Sequence, residues 1–163
     1  MEHEGPALFV ALEQSGFAAA IRQSIWIYPF ANVGHIVSLF VFAGALAIMD
    51  VRLIGGFAAT SPARVIEGAR RVVLLALCAL AFTGFLLFAA EAGHVIINPV
   101  FLAKLALIGA GLVNVAVFEF GIRRQLEKLP PNTPMPAAAR RAGYTSLAIW
   151  ILVAACGRTI AYL

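Results

Sequence analysis

Apolar positions along this chain come in long unbroken runs rather than in the short alternations of strands. Ile25 to Met49, Val72 to Ala92, Pro99 to Ile122 and Gly143 to Tyr162 are each mostly apolar, with at most one or two formal charges apiece. Each is about as long as the roughly 20 residues a helix needs to cross a hydrocarbon core of about 30 Å. No segment alternates polar and apolar residues over the ~10-residue length of a membrane-barrel strand. The pattern therefore predicts an all-α fold, an integral membrane four-helix bundle forming a single domain over residues 1–163.

Outside the spans the pattern changes. Residues 6–23, PALFVALEQSGFAAAIRQ, place Leu8, Phe9, Leu12, Phe17, Ala19 and Ile21 against Glu13, Gln14 and Arg22. This predicts an amphipathic helix lying on the membrane surface, with Pro6 at its start. Glu2 and Glu4 stand where a signal peptide would carry basic residues, and no cleavage site follows a clean apolar core. ATSPARVIEGARR predicts a second, brief interfacial helix, with Ser61 as cap, Pro62 at its first position, and Glu67 and Arg71 four residues apart. LPPNTPMP, Leu129 to Pro136, has four prolines in eight residues and predicts an extended connection.

Composition fixes the solvent. The chain is 62% hydrophobic and 12% charged, with a mean hydropathy of +0.93, far from the roughly 25% charged of an average soluble domain. Its basic residues flank spans: Arg52, Arg64, Arg70 and Arg71 lie between the first and second, and Arg123, Arg124, Lys128, Arg140 and Arg141 between the third and fourth, whereas Glu91 to Asn98 has none. Positive-inside bias then puts both basic loops in the cytoplasm and both termini outside. Anionic membrane lipid, not nucleic acid, is the expected partner of these charges, because no basic face interleaved with aromatics exists. Trp26, Tyr28, Tyr144 and Tyr162 near span ends read as interfacial anchors.

Recognised enzyme motifs are missing: there is no CxxCH, HExxH, GxSxG or phosphate-binding glycine loop, so the chain leans away from catalysis. Cys78 and Cys156 fall at different depths and read as small apolar core residues rather than a disulfide. Chemistry is then left to polar groups inside the spans. His35 lies about 3 Å from the midplane of the first span, too deep to reach water. Asn32 and Ser38, three residues to either side, are expected to share its face toward the bundle interior. Burial predicts a neutral imidazole that can act as donor, acceptor or metal ligand. A backbone carbonyl, Thr83 or Asn114 on a neighbouring helix would satisfy it structurally; haem, copper, a proton path or a quinone would use it chemically.

Lys104, about 8 Å into the third span, and Arg158 near the end of the fourth are placed to pair with Glu91. His94 is expected to hydrogen-bond Glu91. Glu119 is expected to pair with Arg123 at i+4. Asp50 and Arg52 are expected to form a solvated pair where the first span ends.

Trp26-x-x-Pro29, His35, Asp50-x-Arg52-Leu53-x-Gly55, Asn98-x-x-Phe101-x-x-Lys104 and Asn114 together resemble a family of small bacterial inner-membrane proteins of unknown function. More distantly, the first-span histidine and the lysine of FLAKLALI resemble the copper-resistance D family and HemJ-type membrane proteins, whose histidines bind haem b. That likeness implies a haem b site at His35, with copper as the alternative metal. The candidate cofactor-binding residues are His35, Lys104, Arg158, Asn32 and Asn114, and the candidate metal ligands are His35 and His94. His94 stands about 15 Å or more above His35, whereas two nitrogens on one iron lie about 4 Å apart, so a second axial ligand would come from a homodimer or be missing, or His94 would serve a separate outer site. Gly34, Gly44, Gly84, Gly109 and Gly111 are expected to let helices or a macrocycle approach closely, and Phe82, Phe85 and Phe88 to wall the core or face lipid. Two functions follow: a small membrane cytochrome or redox anchor exchanging electrons with a quinone or partner, and a non-redox accessory subunit packed in a larger membrane complex.

Overall fold

The computed structural model describes residues 5–160; Glu2, Glu4 and Tyr162 lie outside them. All the regular structure there is helical: α1 (Ala7–Glu13), α2 (Gly16–Gln23), α3 (Ile27–Ile54), α4 (Pro62–Ala90), α5 (Ala92–Val95), α6 (Pro99–Val117), a π-helical turn (Phe118–Ile122), α7 (Arg123–Leu126) and α8 (Ala137–Ile160). Four helices are long and apolar enough to cross a membrane: α3, α4, the continuous stretch Pro99–Leu126, and α8. The all-α membrane bundle expected from the apolar runs is the fold observed.

The helices overrun the predicted spans. At 28 and 29 residues, α3 and α4 extend about 42 Å at 1.5 Å per residue, more than a hydrocarbon core requires. ATSPARVIEGARR is accordingly no separate interfacial helix: Pro62 opens α4, which runs on without a break. Ser61 occupies the cap position, but its side chain makes no capping bond. Gly55, with φ of 119°, ends α3 in the left-handed conformation that a side chain resists. Leu129 to Pro136 is non-helical as its prolines dictate, and Asn132 N–H donates to the Ala58 carbonyl at 2.7 Å, tying the two basic loops together.

Residues 6–23 form two helices instead of one. The Ser15 hydroxyl accepts from the Ala18 amide at 3.2 Å and starts α2 afresh. The pair folds over the far end of α4 rather than lying loose. Arg22 donates to the carbonyls of Glu13 and Ala90, both at 2.8 Å, and Glu13 accepts from the Gly93 amide at 2.7 Å.

α3 packs between α4 and α8, and α8 in turn carries α6. α4 and α6 meet mainly at their ends: the Phe88 and Phe101 rings stack 5.4 Å apart at one, and Arg70 bonds Glu119 at the other. The core gathers in the half nearer the basic loops, where Phe42, Leu46, Met49, Leu53, Val73, Phe118 and Ile122 are buried together. The opposite half of α3 holds one buried residue, Ala31.

Candidate functional site

On α3 the positions turned inward are Tyr28, Ala31, His35, Ser38, Phe42 and Leu46, spaced three or four apart along one face. His35 Nδ1 lies 2.9 Å from Thr83 Oγ1 on α4. The Thr83 hydroxyl donates to the Ala79 carbonyl one turn back, at 2.7 Å. A hydroxyl has one proton, so with that proton committed to Ala79 it can only accept from the ring. In the tautomer that uses this hydroxyl as its acceptor, Nδ1 carries the hydrogen and Nε2 keeps its lone pair. Gly84 makes room for the ring, since a Cβ there would stand 3.2 Å from His35 Cε1. Lys104, on the inward stripe of α6 with Phe101 and Gly111, is within electrostatic reach of the ring. Its ammonium sits against Gly157 of α8, 3.6 Å from where a Cβ would be.

A second polar cluster lies deeper in the packed half. Asp50 and Arg52 are both 0% exposed, and no ion pair joins them among the described residues. The expected solvated pair is thus corrected: the loop after α3 folds back over the helix end, and Arg52 Nη2 donates to the Thr60 carbonyl at 3.2 Å. Ser146, itself buried, is the side chain acting most directly on the Asp50 carboxyl, yet neither carboxyl oxygen completes a hydrogen bond. Asp50, Ser146 and Asn114 line one cavity of about 40 Å³, with Arg70 and Glu119 also on its wall. Glu119 is held by Arg70 and, at 3.1 Å, by Arg123, the partner expected from their spacing.

The profile of a family of unknown function matches residues 12–163. The chain belongs to that family, DUF6644. The match spans both clusters and all four membrane-length helices. Comparison with curated proteins and with solved structures finds no match.

Not every candidate converges in this DUF6644 chain. Asn32 is exposed, because the inward stripe passes through Ala31 and His35 and leaves position 32 off the face it was expected to share. Asn114 is remote from the role of satisfying His35: its Nδ2 donates to the Ala142 carbonyl at 3.1 Å and ties α6 to α8. His94 is exposed on α5, past the end of α4, and no hydrogen bond joins it to Glu91 among the described residues. Glu91 makes no ion pair with Lys104 there either. Arg158 lies on the last turn of α8. Cys78 is exposed rather than in the core. No group of three or more His, Cys, Asp or Glu side chains converges among the described residues. Ser146 was invisible in the sequence: a serine in an apolar run carries no mark until a helix 96 positions away in the chain brings Asp50 to it.

Proposed function

We propose that this DUF6644 protein is a small membrane redox protein of the bacterial inner membrane that binds haem b through His35. The observation that carries the reading is the hydrogen-bond chain from His35 Nδ1 through Thr83 to Ala79. It supports a ring with hydrogen on Nδ1 and Nε2 free to ligate, as second-sphere acceptors do for metal-bound histidines. The half of α3 that holds His35 buries only Ala31, and this supports the reading as a face that a flat cofactor would cover. Lys104 supplies a cation within electrostatic reach of the ring, suited to a propionate.

Bound haem would supply one-electron chemistry, exchanged with a quinone or a protein partner. The chain's own residues do the rest: Thr83 holds the ring against rotation, Gly84 lets it seat, and Lys104 balances carboxylate charge. A second copy of the chain would bring a second His35 to hold the same group, and copper is the alternative metal. Positive-inside bias puts the basic loops in the cytoplasm. The distant likeness of the His35 and FLAKLALI segments to copper-resistance D and HemJ-type proteins agrees with this.

The test is an absorption spectrum and metal analysis of the protein purified in detergent. The expected result is a Soret band and about one haem per chain or per dimer, lost in His35→Ala while helicity is kept. A colourless, metal-free protein that co-purifies with a fixed membrane partner would overturn the proposal in favour of an accessory subunit. The thin burial of the third span, 6% of its most apolar stretch, gives that rival its surface.

A further inference from the structure

Charge is unevenly balanced at the end of the bundle that carries both basic loops. Arg70 and Arg123 close on Glu119, Arg123 also reaches Glu127 at 3.3 Å, and Arg71 pairs with Glu67. Arg52 and Asp50 are buried. No exposed carboxylate is left unpaired at that end among the described residues. Arg64, Arg124, Lys128, Arg140 and Arg141, by contrast, are all exposed and join no ion pair among the described residues. The bond from Asn132 N–H to the Ala58 carbonyl ties the loops that carry them into one surface. The loop after α3 adds an apolar element. Phe57 is 54% exposed with a φ of 51°, a left-handed conformation that is costly for a bulky side chain. Its carbonyl accepts from the Thr60 amide at 2.9 Å and the Thr60 hydroxyl at 2.6 Å, which holds the turn and leaves the ring outside the core.

We propose that Arg64, Arg124, Lys128, Arg140 and Arg141, with Phe57 on the connecting loop, form a docking surface for the headgroups of anionic phospholipids. Depth favours a lipid over an acidic protein. Arg64 stands on the first turn of α4, Arg124 near the end of the Pro99–Leu126 helix, and Arg140 and Arg141 on the first turn of α8, so the cations ring the ends of three membrane-length helices. That is the level at which headgroup phosphates lie, and basic residues there attract anionic lipid. An exposed aromatic ring at the same level enters the boundary between headgroups and acyl chains. The sequence pointed all the basic residues of these loops at lipid alike; the structure sets apart the five that no carboxylate neutralises. A lipid bridging them joins α4, α7 and α8 across the two loops.

The experiment uses the full chain, delipidated in a neutral detergent and titrated in mixed micelles with phosphatidylglycerol, phosphatidylcholine or inorganic phosphate. Melting temperature is read by circular dichroism, and lipids retained are counted by native mass spectrometry. Phosphatidylglycerol at about ten times its Kd should raise the melting temperature by about 3–6 °C, with little response to phosphatidylcholine or phosphate. The response should shrink as NaCl goes from about 0.05 to 0.5 M, because the sites are exposed to screening. Arg140→Gln with Arg141→Gln, or Arg124→Gln with Lys128→Gln, should weaken phosphatidylglycerol by about fivefold per cation removed and leave the lipid-free melting temperature unchanged. Phe57→Gly, which suits the left-handed turn, should not lower the lipid-free melting temperature yet should weaken lipid retention. The proposal is overturned by equal responses to phosphatidylglycerol and phosphatidylcholine, or by a phosphatidylglycerol response that both double variants preserve. An equal response to inorganic phosphate also overturns it, because the surface then reads a free anion. So does retention of polyglutamate without retention of phosphatidylglycerol, because the occupant is then an acidic polypeptide.

Discussion

Replacing Thr83 by Val removes one oxygen and keeps the shape, so it isolates the bond on which the His35 tautomer depends. In the variant the Nδ1–H of a half-buried ring keeps its proton and loses its acceptor. Ala79 loses only a supplementary hydroxyl donor, because its carbonyl also serves the helix. Net hydrogen bonds contribute about 0.5–1.5 kcal/mol, and an orphaned buried donor costs about 1–3 kcal/mol. Between membrane helices the measured coupling is smaller, about 0.6 kcal/mol on average and up to about 1.7. Thr83→Val alone should therefore destabilise by about 1 kcal/mol. His35→Ala deletes the ring but leaves Thr83 bonded to Ala79, and the double variant has nothing left to orphan. A double-mutant cycle should yield a coupling of about 0.6–1.7 kcal/mol, above the ~0.3–0.5 kcal/mol scatter of independent sites. The assay is reversible unfolding in mixed micelles, followed by the fluorescence of Trp150, whose ring packs edge-on against Phe42 at 4.7 Å. Nitrogen-15 NMR of the imidazole should show hydrogen on Nδ1 in the wild type. Additive single effects, or hydrogen on Nε2, would refute the bond and with it the argument for a ligating Nε2.

Two further variants probe what packs the bundle. Gly143→Ala on α8 would put a Cβ 3.1 Å from the Asp50 carbonyl oxygen and 3.1 Å from Leu53 Cβ; neither atom can swing away, so a loss of about 1–3 kcal/mol is expected. Gly44→Ala meets nothing within 4 Å and should stabilise by up to about 1 kcal/mol through helix propensity, so equal melting temperatures for the two would contradict the close α3–α8 approach. Glu119→Gln should destabilise by about 1 kcal/mol through Arg70, whose side chain is 30% exposed, whereas Glu67→Gln breaks a pair exposed by 71% and 63% and should change little. A larger effect at Glu67 than at Glu119 in thermal melts would reverse that ranking.

Much of the architecture was legible because lipid permits few solutions. Runs such as Phe82 to Phe88 can satisfy their backbone only as helix, and Pro62, Gly55 and the LPPNTPMP prolines act on the nearest turn whatever lies beyond. The same local logic explains Glu119 with Arg123, whose side chains meet at i+4. Legibility failed where a helix end was read from charge alone. Arg64, Arg70 and Arg71 mark where the apolar run gives way to charge, not the end of α4, because helical backbone bonding continues past an apolar stretch.

Periodicity brought His35 to light but misassigned Asn32. An interval of three residues leaves about 60° of helix circumference undecided, and only the positions of α4 and α8 choose between its two sides. Asp50 shows the limit more sharply. From the chain it is a charge at a span terminus next to an arginine, which water would solvate. The backbone fold of the following loop removes that water, and α8 arrives with a serine and no cation. Amino-acid order determined the solvent, the helices and the presence of a nitrogen base within them, since these depend on neighbours a turn or two away. Which groups share a cavity, which hydroxyl faces the imidazole, and which carboxyl oxygens are left without a hydrogen bond were decided by helix packing, because each depends on atoms that meet only when distant segments come together.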